Sequence, residues 1–531
     1  MQNGADCIHE LPKGGWYEQR AKRQRTDTAH PVLQDDSQAA AAAAAVPSVT
    51  DIGPSEGLDD QQAVQLPNIN VLLEITDLYF DYIDVVFHCL FQKTAFVQDM
   101  LDGQIPESIL FAIVGLAARF SSNPFFAGTE PRERGRRYME EAERRLSLRK
   151  ICLETVQLAL LLAAGATGDG LMEARNLYLT VSCRTAQLLH LPHRESSSLL
   201  EQEINTRSEL DTPNPPMLRL LTALVWWSLC MIDVWSCTAS KVPRLLPRDG
   251  EGAPLPMDDL IFQYLSRTGY DLPSPGPIFT RRTPLVCEMI QLNRILLEIH
   301  DFNQQCVANT LSPVEVENGV QMLSHRMDAW LTALPQDVRD TAENFTWFNA
   351  NGLGRSFAAV YLGYYHFGQL LYYQFLHRGN SAPAGSPACI YSDRCKRHSA
   401  QLCDMIYRAV FTPGSDVRYF MVAHVIVIAS TVQIHTLLFA EDEQEIADAK
   451  RRLEKNFEIL LLLRPYWPAL DHCMSRLKAF HKTCRVNMTT SFVLDGWMLQ
   501  FLVAFGDIEE ATMSRTHPEL EMFYRLDDII S

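Results

Sequence analysis

Residues 220–235 read LLTALVWWSLCMIDVW, sixteen positions whose single charged group is Asp233. On a helix, Leu220, Leu224, Trp227, Met231 and Val234 fall along one ridge and Leu221, Val225 and Ile232 along the next. The element is therefore apolar on nearly every side. Each large apolar side chain gains about 1.5–3 kcal/mol on burial, and an exposed helix of this kind would aggregate. The rest of the chain must fold around it, which predicts a buried central helix. Asp233 then needs a partner or an exit to solvent, because a lone ionised carboxylate in an apolar interior shifts its pKa or destabilises the fold.

Two apolar runs raise the question of a membrane. Between Arg219 and Asp233 lie thirteen uncharged positions, short of the roughly 20 a bilayer requires. The second run, YFMVAHVIVIASTVQIHTLLFA at 419–440, is long enough. Its His424, Ser430, Thr431, Gln433, His435 and Thr436 are costly to leave against lipid, so a buried core helix is expected there too, and no membrane partner.

The remaining text from Asn70 onward is helical almost without interruption. Apolar positions recur at three and four spacing in NVLLEITDLYFDYIDVVFHCLF, and PESILFAIVGLAARFSS is apolar all round after Pro106, a residue suited to a first helical turn. Tyr138, Ala142 and Leu146 lie four apart among alternating charges, so that helix shows its other side to water. Two runs separated by Gly165, Gly168 and Gly170 form an αα-hairpin. Further helices are expected at 283–304, 313–333, 355–378, 393–410, 418–440, 443–463 and 466–485, with loops at 192–216, 243–280 and 379–392. No series of alternating strands appears, so the fold class is all-α: a large multi-helix bundle or solenoid-like body behind a disordered N-terminal arm. The arm covers 1–68, the helical body 69–490, and an acidic-hydrophobic C-terminal segment 491–531.

The formal charge is -17, which repels phosphate over most of the surface. The arm's one dense basic cluster, RAKRQR with Lys22, Arg23 and Arg25 at its centre, could serve as a nuclear import signal or a phosphate contact, or be a solvated charge run. Thirteen cysteines are dispersed through the chain, a pattern that fits a reducing compartment rather than a disulfide framework. No two are separated by two residues, and only Cys7 precedes Cys89. The start of the sequence lacks the apolar core of a secretory signal, so the chain is expected inside the cell.

Catalytic signatures are missing. GLGRSF at 352–357 follows no strand and lacks the third glycine of a dinucleotide loop, and no Walker loop, nucleophile elbow or His-Glu-x-x-His occurs. Asp59-Asp60, Asp258-Asp259 and Asp527-Asp528 are each followed by no third acid at helical spacing, while Asp77, Asp81 and Asp84 read as the solvated edge of one helix. His472, Cys473, His481 and Cys484 lie along one helix and do not converge as a tetrahedral site requires. No catalytic, cofactor-binding or metal residue is expected. The rival class is an all-α enzyme such as a terpene-synthase-like protein, whose chemistry needs clustered carboxylates for magnesium.

The run RLLTALVWWSLCMIDVWSCTASKVPRLLP, followed by Pro254, Leu255 and Pro256, resembles the signature helix and loop of the fungal-specific transcription factor domain, the middle homology region of fungal zinc-cluster regulators. Trp226, Trp227, Ser228, Leu229, Ile232, Asp233, Pro243 and Leu255-Pro256 match the pattern. Val234 stands where the family usually has Arg, and Ser240-Lys241-Val242 where Gly-Arg is usual. Residues 78–97, ILFAIVGLAARFSS, ARNLYLTVSCRTAQLLHLPHR and LLLLRPYWPALDHCMSRLKAF resemble further family segments in the same order, so the resemblance covers roughly 70–485.

The resemblance implies a nuclear transcriptional regulator, not an enzyme, that works by binding: as a homodimer or as a heterodimer with a zinc-cluster regulator, in contact with the transcription machinery. DNA contact would be indirect or weak. Zinc is expected only with an N-terminal cluster, which is either lost or missing from this sequence; in the first case the chain is a co-regulator working through a DNA-binding partner. Signature residues Trp226, Trp227, Ser228, Leu229, Asp233 and Pro243 are expected to be structural. The C-terminal acids interleaved with aromatics suit either coactivator recruitment or a last helix packed on the body.

Overall fold

The computed structural model describes residues 64–84, 89–191, 215–240, 242–248, 250–264, 281–488 and 490–505. Lys22, Arg23 and Arg25, the rest of the arm up to residue 63, and residues 506–531 lie outside the described residues. Among the described residues there are seventeen α-helices and no strand, as the helical periodicity demands. In chain order they are α1 (Ile69–Tyr82), α2 (Lys93–Leu101), α3 (Glu107–Ala117), α4 (Arg136–Arg144), α5 (Leu153–Gly168), α6 (Met172–Leu188), α7 (Pro215–Ser240), α8 (Asp259–Gln263) and α9 (Leu285–Val307). They continue with α10 (Pro313–Ala333), α11 (Ala342–Ala350), α12 (Gly354–Tyr372), α13 (Pro387–Val410), α14 (Phe420–Phe439), α15 (Glu443–Leu463), α16 (Ala469–Val486) and α17 (Gly496–Val503).

Local chemistry sets several boundaries. The Asn68 side chain caps α1 by accepting the backbone N–H groups of Asn70 and Val71 at 3.1 and 3.2 Å. Ser312 and Glu315 form a reciprocal capping box at the start of α10. The hairpin α5–α6 turns at one glycine of the three expected. Gly165 and Gly168 continue α5, whereas Gly170 takes φ 81° just past its end, and the N–H of Leu171 reaches back to the Ala166 carbonyl at 2.8 Å, as a left-handed cap requires. The loop expected at 379–392 is shorter than its composition implies. Ser386 caps α13 and Pro387 occupies its first turn, so a Ser-Pro pair that reads as loop text is a helix start. Inside the 243–280 loop, Asp258 caps the short α8.

Neighbours in sequence pack together, with α3 against α4, α12 against α13, and α14 against α15; α9 crosses to α7 and α12. The core is one continuous cluster that includes Trp226, Tyr361, Trp467 and Phe480, all inaccessible to solvent. Segments Leu220–Ser240 of α7 and Phe420–Phe439 of α14 are both long and apolar enough to cross a membrane, and 72% and 83% of their apolar windows lie inside the protein. The length objection to the first run therefore fails, since the helix continues past Asp233 to Ser240. Burial within the body answers the question instead. Four polar groups of α14 find partners there: Ser430, Thr431 and Thr436 donate to carbonyls of their own helix at 2.8, 2.8 and 3.1 Å, and the Gln433 amide donates to Ser399 Oγ at 2.9 Å.

The acidic edge expected on α1 breaks at its end. Asp77 and Asp81 are solvent-accessible, but Asp84 is 2% exposed and accepts the Leu90 N–H at 3.3 Å. Burial pushes its carboxyl well above the ordinary range, against the opposing pull of hydrogen bonds from Leu90 and Tyr79. It lies just past the helix, where the chain turns inward and helical spacing no longer applies. At the far end, α17 is part of the body: Met498, Phe501 and Leu502 are buried.

Candidate functional site: the tryptophan helix, its clamp and its cavity

Helix α7 holds two stretches of chain outside the α-helices through polar atoms on an otherwise apolar surface. The Trp226 indole N–H donates to the Gly250 carbonyl at 3.0 Å, and that of Trp227 to the Pro254 carbonyl at 2.9 Å. Burying an indole leaves its N–H in need of an acceptor, and the loop supplies one to each ring. Ser228 Oγ accepts the Cys89 N–H at 2.9 Å, tying the entry to α2 against the same helix. Leu229 is fully buried. Pro243, exposed three residues beyond the helix, ends it sterically.

Asp233 is 1% exposed and gathers three groups. It accepts the backbone N–H groups of Leu245 at 3.1 Å and Leu246 at 3.0 Å, and the Arg244 Nε at 3.3 Å. Burial raises its pKa, while these donors act in the opposite direction. The partner that the sequence left open is thus Arg244, eleven residues on, folded back by the loop that the tryptophans hold.

Two spaces flank α7. A groove of about 320 Å³ runs over Trp227, Val234 and Leu297 and carries Arg244, Arg248 and Arg326 on its rim. Those cations are already matched, to Asp233, Asp301 and Glu298. On the inner side lies a cavity of about 140 Å³ walled by Met231 and Trp235 of α7, Met289 and Leu292 of α9, Phe367 of α12 and Phe420 of α14. Met231 and Asn293 border both spaces. Among the described residues no Asp or Glu lines the cavity, and Arg175 of α6 does. Trp235 stacks on His366, centroids 5.8 Å apart and planes within 10° of parallel.

No group of three or more His, Cys, Asp or Glu side chains among the described residues is placed to hold a metal ion. All twelve described cysteines are free thiols. Asp258 and Asp259 face protein donors rather than a common ion. Asp258 accepts Leu260 N–H at 3.2 Å and Thr283 N–H at 2.5 Å, and Asp259 accepts Leu285 N–H at 2.7 Å.

No protein-family model matches the chain. Curated proteins do. The chain is similar to fungal transcription factors. It is 23% identical over 230 residues to the Zn(2)-C6 fungal-type transcription factor FTF1c of Fusarium oxysporum f. sp. lycopersici, a match covering 43% of this chain and 24% of that protein. Two Schizosaccharomyces pombe proteins, each named an uncharacterized transcriptional regulatory protein, match at 25% over 223 residues and 20% over 460 residues. The second covers 80% of this chain and 54% of the relative. The chain thus spans between about a quarter and about half of the length of these relatives.

Sequence reasoning missed Arg244 and Arg175. Arg244 carried a signal, since a buried Asp233 required a cation and SKVPRLLP offered Lys241 and Arg244. Arg175 carried none, because its place against α7 depends on how α6 and α7 meet, and no local pattern encodes that.

Proposed function

We propose that this chain is the helical regulatory region of a fungal transcriptional regulator of the zinc-cluster kind, acting in the nucleus by binding rather than by turnover. The observation that carries the reading is the match over 80% of the chain to a transcriptional regulatory protein. Supporting it, the signature residues behave as a structural unit: two indoles, a serine and an aspartate spend their polar atoms on backbone groups of the chain's own loops. Reading of DNA sequence would fall to a zinc cluster outside the residues described, on this protein or on a dimer partner, because a surface of charge -17 has little to offer phosphate.

The test is to fuse the full chain to a heterologous DNA-binding domain in a fungal host carrying a matched reporter. The fusion should change reporter transcription several-fold relative to the DNA-binding domain alone, in either direction, and a fluorescent fusion should collect in the nucleus. A nuclear fusion that leaves the reporter unchanged would overturn the reading.

A further inference from the structure

We propose that the cavity between α7, α9, α12 and α14 binds a small apolar monoanion, a carboxylate carried on an aromatic or short aliphatic body, with Arg175 as its counter-charge. The inference does not depend on the transcriptional reading, because it concerns binding alone.

Size and lining set the body of the ligand. A void of about 140 Å³ is close to the roughly 150 Å³ of an apolar cavity that stays dry and takes up benzene. Here the walls are the Trp235, Phe367 and Phe420 rings with the Met231 and Met289 thioethers, flexible side chains that adapt to the shape of an occupant.

Charge sets the head group. Arg175 is 3% exposed. Its Nε and Nη2 donate to Asn176 Oδ1 at 3.2 and 2.9 Å, and Nη2 also to Ser240 Oγ. The guanidinium lies 5.7 Å from the Phe505 ring centroid. None of these partners carries negative charge, and among the described residues no carboxylate comes within ion-pair distance of it. Asn176 Oδ1 is also shared, since Ser236 Oγ donates to it at 3.1 Å. Burial lowers the Arg175 pKa to about 10, with the exposed Glu173 pulling the other way, so the group stays cationic at neutral pH. Its Nη1 has no protein acceptor among the described residues. Leaving a buried cation without a counter-charge is costly, and an anion in the adjoining cavity removes that cost. A second open polar atom, Asn293 Oδ1, is buried at the cavity wall without a hydrogen-bond partner; its amide nitrogen is engaged by the Met289 carbonyl at 2.8 Å. It can accept a hydrogen bond from a donor on the ligand.

The test is isothermal titration calorimetry on the full chain with phenylacetate and octanoate, each paired with its neutral amide. A hydrogen bond to a charged group is stronger than one between neutral groups, so at least one acid should bind about tenfold or more tightly than its amide. Arg175→Met should erase that preference while weak binding of the apolar body remains, and Arg175→Lys should keep part of it. Ala359→Phe, which fills the cavity, should remove binding of acid and amide alike without loss of cooperative unfolding. Equal binding of acids and amides to the unaltered protein, or no heat from any probe at millimolar concentration, would overturn the proposal. So would an acid preference that survives in a folded Arg175→Met protein. The comparison on the unaltered protein requires no variant, so a misfolded mutant leaves the proposal open to refutation.

Discussion

Arg244 Nε lies 3.3 Å from Asp233 Oδ2, in a pair whose carboxylate is 2% exposed and whose cation is 14% exposed. The resemblance places an Arg at position 234, directly after the aspartate; this chain has Val234 there, 5% exposed. A helix neighbour at that position cannot turn back to the same face, whereas a loop residue can. The pair joins the helix to its loop, and the Leu245 and Leu246 N–H groups depend on the same carboxylate.

Removing the carboxylate therefore strands three donors at once. Asp233→Ala should lower the unfolding free energy by about 2–4 kcal/mol, the range for breaking a buried charged network from one side. Arg244→Gln should cost less, because Asp233 keeps its two backbone donors and burial already favours its protonated form. The double variant should fall short of the sum of the two. Denaturant midpoints at constant m-value would measure this, and an Asp233→Ala effect below about 1 kcal/mol would contradict the clamp.

Gly250 should be similarly intolerant. It adopts φ 71°, and a methyl group on it would meet the Trp227 ring. Its carbonyl also accepts the Trp226 indole. Gly250→Ala combines a left-handed backbone with a clash, for an expected loss of about 2–3 kcal/mol. Gly385, at φ 78° with open space around it, should lose only the conformational part, about 1 kcal/mol on the same substitution. Thermal unfolding of the two variants side by side separates packing from backbone strain; equal losses would show that the Trp227 contact adds nothing.

How much of this was legible follows from the range of the interactions. α7, α14 and the α5–α6 hairpin are written in local periodicity, so their existence and burial could be read directly. The roles of Gly165 and Gly168 could not. A Cβ on either would strike Met139 of α4 or Trp467, which lies between α15 and α16, so these residues are small for packing against other parts of the fold, and only Gly170 makes the turn. Asp84 looked solvated because helical spacing was extended one step past the end of α1. The cavity is the least legible feature, since six different helices and the non-helical Cys89, Val417, Tyr419 and Phe505 meet there and no single segment bears its mark.

Asp259 gives the fold a stability that declines toward alkaline pH. Burial raises its pKa to about 8, opposed mainly by the Val286 and Leu285 N–H groups. In the unfolded chain the group titrates near 3.9. Between those values the folded state holds a proton that the unfolded state has lost, so stability present at low pH is lost as pH rises toward 8. Asp259→Asn removes the titration and keeps an acceptor. Its unfolding temperature relative to the unaltered protein should improve steadily from pH 5 to pH 8.5, and a constant difference across that range would refute the assignment.

Buried histidines have the opposite sign. His398 is enclosed by the Tyr364, Tyr365 and Tyr372 rings at 5.3, 6.1 and 5.7 Å, with no hydrogen-bond partner for its buried Nδ1. Burial, helped by Arg397 and Arg394, lowers its pKa to about 3, and burial does the same to His366 and His435. Unfolded histidine takes up its proton near 6.5, so acidification below that value stabilises the unfolded chain and leaves the folded one untouched. Each such group costs about 1.4 kcal/mol for every pH unit below 6.5. His398→Phe keeps an aromatic ring among the tyrosines and removes one titration, so between pH 7 and pH 5 it should retain about 2 kcal/mol that the unaltered protein loses. Denaturant titrations at the two pH values measure the difference, and parallel losses in the two proteins would mean that His398 is protonated inside the fold.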